Sequence, residues 1–291
     1  MSDRYRAIRA TIGRSLPRPI ARQLLRRHNW QRSEGVTSIP WLWSWLITSF
    51  NDYRFASSIP APTRLLSVDP STVDWLLVPR YLVPATDGTY VYGGGWDRAF
   101  SPARLHYKGS GEGFNWPTLV HIQNFTFFRS LKRHFHDGVA WPDTELYRTL
   151  STHEISLHYR DPDILLDQLA EIDQLYDSIA EHGYRSQREL LDDPQHPRQR
   201  AINSTNPSLS EVMVNIGRDG EVIFCTGRHR FIIARLLDIA SIPVRVHVRH
   251  SRWQQLRHRA IRDVSTIPRH LIDHPDLADI VAADHPITQS A

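Results

Sequence analysis

Apolar residues recur along this chain at two spacings, and the spacing changes where the punctuation changes. Within residues 164–182, Leu165, Leu169, Ile172, Tyr176 and Ile179 follow at steps of four, three, four and three. That period puts them on one face of an amphipathic helix, and Gly183 ends it. From Val212 the period falls to two. Val212, Val214 and Ile216 mark one face of a strand, Arg218-Asp219-Gly220 supplies a turn, and residues 221–224 return as the second strand of a hairpin. Thr226-Gly227-Arg228-His229-Arg230 then leads into a helix over 231–239, with Ile233, Leu236 and Leu237 on one side. Residues 242–249 alternate again, which turns the valines inward and Arg245, His247 and Arg249 outward on a single face.

Upstream, residues 64–68 and 89–92 read as strands, and Asp69-Pro70-Ser71-Thr72 as a turn entering a short helix. Residues 118–135 read as helical, and Trp141-Pro142-Asp143-Thr144-Glu145 as a loop with a capped helix start. The expectation is an α+β protein in four parts. Residues 1–62 form a basic, Trp-rich helical arm, closed by Pro60 and Pro62. Residues 63–150 form an α+β region, 151–262 a small mixed sheet with packed helices, and 263–291 a polar tail.

With 291 residues, 41% hydrophobic and 23% charged, the chain can bury a core. A single cysteine, Cys225, excludes an intramolecular disulfide framework and a four-cysteine zinc site, and it fits a reducing cytoplasm. A net charge of +4 does not mark a protein that coats nucleic acid through bulk charge. Lys108 and Lys132 are the only lysines, so the basic side is almost wholly planar guanidinium, suited to phosphate and carboxylate. The arm carries Arg4, Arg6, Arg9, Arg14, Arg18, Arg22, Arg26 and Arg27 without the unbroken apolar run of a secretory signal. Residues 39–50 are too short to span a bilayer. Their Trp41, Trp43 and Trp45 suit a buried segment, an oligomer contact or a membrane surface. The location expected is cytoplasmic, or peripheral to the membrane.

The most informative order is helix, glycine, loop, hairpin, Gly-x-His-Arg, helix, Ile-Pro-Val strand. A strand that ends at glycine and opens a helix leaves several N–H groups pointing at one spot, where the helix dipole favours an anion. Gly227 permits close approach, and Arg228 and Arg230 offer charge-assisted forks with His229 beside them. The bland alternative is a turn with solvated arginines. Elsewhere, Gly93-Gly94-Gly95-Trp96-Asp97 reads either as a ligand loop or as a tight hairpin end with a packed indole. His134 and His136 could share a metal only on an extended segment, so no metal is expected. Gly109-Ser110-Gly111-Glu112-Gly113 lacks the Lys-Ser/Thr of a P-loop.

Residues 173–183, with Gly227-Arg228-His229-Arg230 and Ile242-Pro243-Val244, resemble the ParB/sulfiredoxin-like superfamily domain over about a hundred residues. That family includes CTP-binding partitioning proteins, ATP-using sulfiredoxins and free-serine kinases. The resemblance implies nucleotide phosphate at Thr226, Gly227, Arg228, His229 and Arg230, with Arg245, His247 and Arg249 nearby. It implies ATP, ADP or CTP, with or without Mg2+. Departures narrow the choice. Arg228 stands where sulfiredoxins carry cysteine, and no helix-turn-helix follows residues 251–262. Thr226 replaces the aspartate of the serine kinases, whose catalytic carboxylate lies near the domain start, where this chain has Glu154, Asp161 and Asp163. The expected function is a nucleotide-dependent phosphotransferase acting on a small-molecule or glycan-type acceptor, with Asp97 as a base in the acceptor site. The alternative is a ParB-like nucleic-acid-binding protein or nuclease, kept open by Arg252, Arg257, Arg259 and Arg262.

Overall fold

The computed structural model describes residues 55, 58–61, 63–78, 82, 89–105, 118–152, 161–193 and 207–284. They form an α+β fold on one mixed sheet of eight strands. These are β1 (Leu65–Val68), β2 (Trp75–Val78), β3 (Tyr90–Tyr92), β4 (Phe100–Ser101), β5 (Thr118–His121), β6 (Val212–Ile216), β7 (Val222–Thr226) and β8 (Ile242–His250). Their order is β1-β8-β6-β7-β2-β5-β4, with β3 also on β8. The long strand β8 takes β6 along one edge. On the other, β1 runs antiparallel to its first half and β3 parallel to its last residues.

Seven helices accompany the sheet among the described residues: α1 (Thr126–Asp137), α2 (Glu145–Thr152), α3 (Pro162–His182), α4 (Gln187–Leu191), α5 (Arg228–Leu236), α6 (Ser251–Ala260) and α7 (Ala278–Asp284). The larger core lies between the sheet and these helices. It gathers Leu76, Val120, Val214 and Phe224 from strands with Phe127, Leu131, Leu146, Leu165, Leu169, Phe231 and Ile233 from helices. The opposite face carries a smaller cluster of Leu77, Leu82, Tyr90, Trp96, Leu119, Ile223 and Val248. Neighbours such as Leu76 and Leu77, or Ile223 and Phe224, therefore serve different cores, as the pleat requires. The boundary expected near residue 150 does not separate two cores. β1 and β3 pair with β8, and β2 pairs with β7.

The helix α3 and the β6–β7 hairpin appear where the periodicity places them. Residues 118–135 do not form one helix. Thr118–His121 is a strand paired with β2, a 3-10 turn covers Ile122–Asn124, and α1 starts only at Thr126. Leu119 and Val120 bury themselves in opposite cores, which a strand between two layers does and one helix face does not. The helix expected over 231–239 starts at Arg228, directly after Gly227.

The alternation read into residues 242–249 is also corrected. Arg245, His247 and Arg249 are buried, because both faces of the sheet are covered. Nor do the two arginines share a face. The β6–β8 register shifts between Val214 and Asn215, and Asn215 Oδ1 accepts the N–H of Val248 at 3.2 Å. This bulge moves Val248 into the smaller core while Val244 and Val246 stay in the larger one. Arg245, beside Met213, consequently faces away from Arg249, which lies beside Ile216.

Residues 263–284 are not a polar tail. Leu277 and Ile280 join the larger core, and the Asp276 side chain is fully buried. Asp276 accepts from Arg249 Nε at 2.8 Å and Nη2 at 2.6 Å, from Trp253 Nε1 at 2.8 Å and from Arg64 Nη1 at 3.1 Å. Arg257, expected on the open basic face, instead points inward to Asp279 at 2.8 Å, with Asp276 3.6 Å away. The expected arm, including Trp41, Trp43 and Trp45, lies outside the described residues apart from Phe55 and residues 58–61. Among the described residues no helix is long and apolar enough to cross a membrane.

Candidate phosphate site at the start of α5

At the end of β7 the chain turns through Gly227 (φ 92°, ψ 31°) straight into α5. Two constraints call for glycine here. The left-handed φ disfavours a side chain, and a Cβ would stand 3.0 Å from Val212 Cγ2 and 3.1 Å from Val212 Cα. The N-cap of α5 is Gly227, which has no side chain of its own to bond the first-turn amides. Residues 226–230 are all half-buried, at the edge of the structure rather than in its core. The ring of Phe127 from α1 lies beneath them. The Arg228 guanidinium carbon is 5.3 Å from its centroid, and the His229 ring 5.1 Å away and tilted by 45°.

Arg230 does something different. Its Nη2 donates to Ser210 O at 2.5 Å and its Nη1 to Glu211 Oε2 at 3.2 Å, with the Tyr184 hydroxyl at 3.5 Å. Glu211 Oε1 also accepts the N–H of Gln187 at 2.5 Å. Burial raises the Glu211 carboxyl above its ordinary range against the pull of Gln187 and Arg230. It pushes the Tyr184 phenol up to about 12. Arg230 thus fastens the start of α5 to the residues before β6 and to the segment leading into α4. Sequence reading passed over Glu211 and Tyr184. Neither belongs to a periodic pattern; the pairing of β6 with β7 brings Glu211 to Arg230, and the segment between α3 and α4 brings Tyr184 there.

Of the β8 residues expected nearby, Arg245 shares a row with the loop. Thr226 pairs with Met213, and Met213 with Arg245. Arg245 therefore lies two strands away, about 10 Å at the usual spacing. Its side chain contacts the Met213 sulfur within the sheet. His247 packs against Tyr90 at 5.5 Å, and Arg249 is committed to Asp276.

Asp97 is not part of this site. It accepts from Arg218 N at 2.7 Å, from Nε at 2.9 Å and from Nη2 at 2.5 Å, in the turn joining β6 to β7. Gly227 lies at the other end of β7, some 17 Å off for five residues of strand. Burial alone would raise the Asp97 carboxyl, but the side-chain and backbone hydrogen bonds of Arg218 hold it below its usual value. A carboxylate held ionised by a guanidinium is a poor base. The rest of its loop is structural as well. Trp96 fills the smaller core, donating Nε1 to Tyr92 O at 3.2 Å, and Gly94 O accepts from Arg218 Nη2 and His250 Nε2. Asp97→Asn is expected to lower stability by about 1.5–3 kcal/mol, the scale of a charge-assisted bond. Nucleotide affinity should stay unchanged. Urea unfolding and calorimetric titration read the two effects separately, and the reverse pattern would return Asp97 to the site.

Asp161 caps α3, accepting from Asp163 N at 3.0 Å, while Asp163 is exposed in its first turn. Glu154 lies outside the described residues. His134 faces Asp173 at 3.2 Å and stacks on Trp141, whereas His136 meets Leu236 O at 3.2 Å. The two imidazoles diverge, as α1 dictates. Among the described residues no group of three His, Cys, Asp or Glu side chains is placed to hold a metal ion.

Comparison of the chain with protein-family models, with curated proteins and with solved structures finds no match in any of the three. The resemblance to the ParB/sulfiredoxin-like domain therefore rests on its own motif residues.

Proposed function

We propose that the protein binds a nucleotide (ATP, ADP or CTP, with or without Mg2+) with its phosphates at the start of α5, and uses it as a phosphoryl donor. One observation carries the reading. A helix opens directly at a left-handed glycine, half-buried, with Arg228 and His229 in its first turn. In this reading the first-turn amides and Arg228 bind phosphate oxygens. Arg230 positions the loop through Glu211 and does not reach for the ligand. The donor role is supported by the resemblance, whose kinase members carry a carboxylate near the domain start. There Asp163 is exposed, while Asp161 is engaged as a cap.

The test is calorimetric titration with ATP, ADP and CTP, with and without magnesium. Arg228→Ala should weaken binding by about 1.5–3 kcal/mol, roughly ten- to a hundredfold, with circular dichroism checking that the variant is folded. Arg230→Ala is the poorer variant, since it strands Glu211. Wild-type affinity in Arg228→Ala, or no binding of any of the three nucleotides, overturns the reading.

A further inference from the structure

We propose that the acidic face of α3 in one copy docks on the arginine face of α6 in a second copy, giving a salt-sensitive head-to-tail association. The two helices are opposites in charge. α3 contains no lysine or arginine and carries Asp163, Asp167, Glu171, Asp173, Asp177 and Glu181. Asp173 is engaged by His134 and the Trp141 indole. Asp163, Asp167, Asp177 and Glu181 are exposed. At 3.6 residues per turn they fall within about 80° of one another, along about 27 Å of helix. Leu165, Leu169, Ile172 and Ile179 occupy the buried side. Asp163 with Asp167, and Asp177 with Glu181, are like charges one turn apart, an arrangement that opposes the helix. Among the described residues no arginine or lysine pairs with Asp163, Asp167 or Asp177.

α6 is the complement. It contains no carboxylate, and with Arg257 turned inward the outer face keeps Arg252, Gln255 and Arg259, continued by Arg262 in the turn that follows. These four are exposed, at steps of three, four and three, over about 15 Å. Among the described residues no carboxylate pairs with Arg252, Arg259 or Arg262.

The two faces sit on different parts of the fold. α3 packs on α2 and α5, whereas α6 packs on β8 and β3. No ion pair joins them within the described residues, so the match is between copies. A single basic face would suit any polyanion. A longer acidic face on the same chain favours a second copy over nucleic acid. The two surfaces differ, so the contact is heterologous and builds chains rather than closed pairs.

The experiment is sedimentation velocity on the full chain up to about 100 μM, in about 20 mM and about 0.5 M salt, either side of strong screening. The average mass should rise with concentration in low salt and return to the monomer in high salt. Two charge reversals follow. Asp167→Arg with Asp177→Arg cancels the net charge of the α3 face, and Arg252→Glu with Arg259→Glu makes both faces negative. Each variant alone should lose at least tenfold in association constant. An equimolar mixture should recover it as pairs, because the unaltered α6 of the first variant meets the unaltered α3 of the second. Circular dichroism checks folding, and the single variants Asp167→Arg and Arg259→Glu replace any double variant that fails to fold. A wild type that stays monomeric in low salt overturns the proposal, as does association that survives both reversals or a mixture that recovers nothing. A monomer whose α6 face instead binds a labelled DNA duplex also overturns it.

Discussion

Asp276→Ala is expected to cost about 3–5 kcal/mol of unfolding free energy, the scale of leaving buried charges without their partner. Few single side chains in this fold have so many dependants. Arg249 on β8, Arg257 and Trp253 on α6, and Arg64 ahead of β1 all converge on one carboxylate with no solvent exposure. Removing it strands the Arg249 guanidinium and unpins the segment whose Leu277 and Ile280 complete the larger core. Burial by itself would raise the Asp276 carboxyl, but Arg249 and Arg257 outweigh it and hold the group well below its usual range. The sign of the linkage follows from a lowered folded pKa. The stabilisation is fully present above the unfolded value of 3.8, and it is lost as the pH falls from there through the folded value. Urea unfolding at neutral pH measures the loss. A pH series checks that Asp276→Asn flattens the acid limb. A change of less than about 0.5 kcal/mol, the range of an ordinary surface substitution, would show that this carboxylate does not hold the segment down.

Gly220→Ala is expected to cost roughly 2–4 kcal/mol, combining a disfavoured left-handed conformation with overpacking. Gly220 has φ 93°, and a Cβ there would stand 2.6 Å and 2.9 Å from two ring carbons of Trp253. That indole has no easy retreat. It is fully buried, its Nε1 is bonded to Asp276, and His274 lies against it while donating to Gly220 O at 2.7 Å. The turn, the indole and the C-terminal segment form one packed unit. Gly220→Ala and Asp276→Ala should therefore combine non-additively. Gly95→Ala is the control, because Gly95 has no positive φ and nothing within 4 Å of its Cβ position. Its midpoint of thermal unfolding should match the wild type, whereas Gly220→Ala should melt well below it. Equal midpoints for the two variants would mean that Trp253 yields to the methyl group.

Local pattern was enough to read α3, the β6–β7 hairpin and the strand–glycine–helix step at Gly227. In each, periodicity and punctuation agree within a short window: Leu165 to Ile179 with Gly183, Val212 to Ile216 with Gly220, and Phe224 with Gly227. The glycine start of α5 belongs to this group, since its backbone geometry depends on one glycine and the residues beside it. So does the divergence of His134 and His136, once α1 is helical.

The fate of the charged side chains was settled only by tertiary structure. A period of two says that Arg245, His247 and Arg249 leave the valine face. It does not say whether water or a second layer waits there, and both faces of this sheet are covered. The bulge at Asn215, which sends Arg245 and Arg249 to opposite sides, comes from pairing with a strand some thirty residues away in sequence. Asp97 and Gly227 are both chemically eligible, yet the length of β7 keeps them apart, and Arg218 claims the carboxylate. Asp276 sits in a stretch that reads as polar because burial of its charge depends on three arginines from three separate segments. Spacing along a chain determines which residues share a face of one element. What lies opposite that face, and which buried charge finds its counter-ion, is decided by contacts between distant segments, and local sequence carries no record of them.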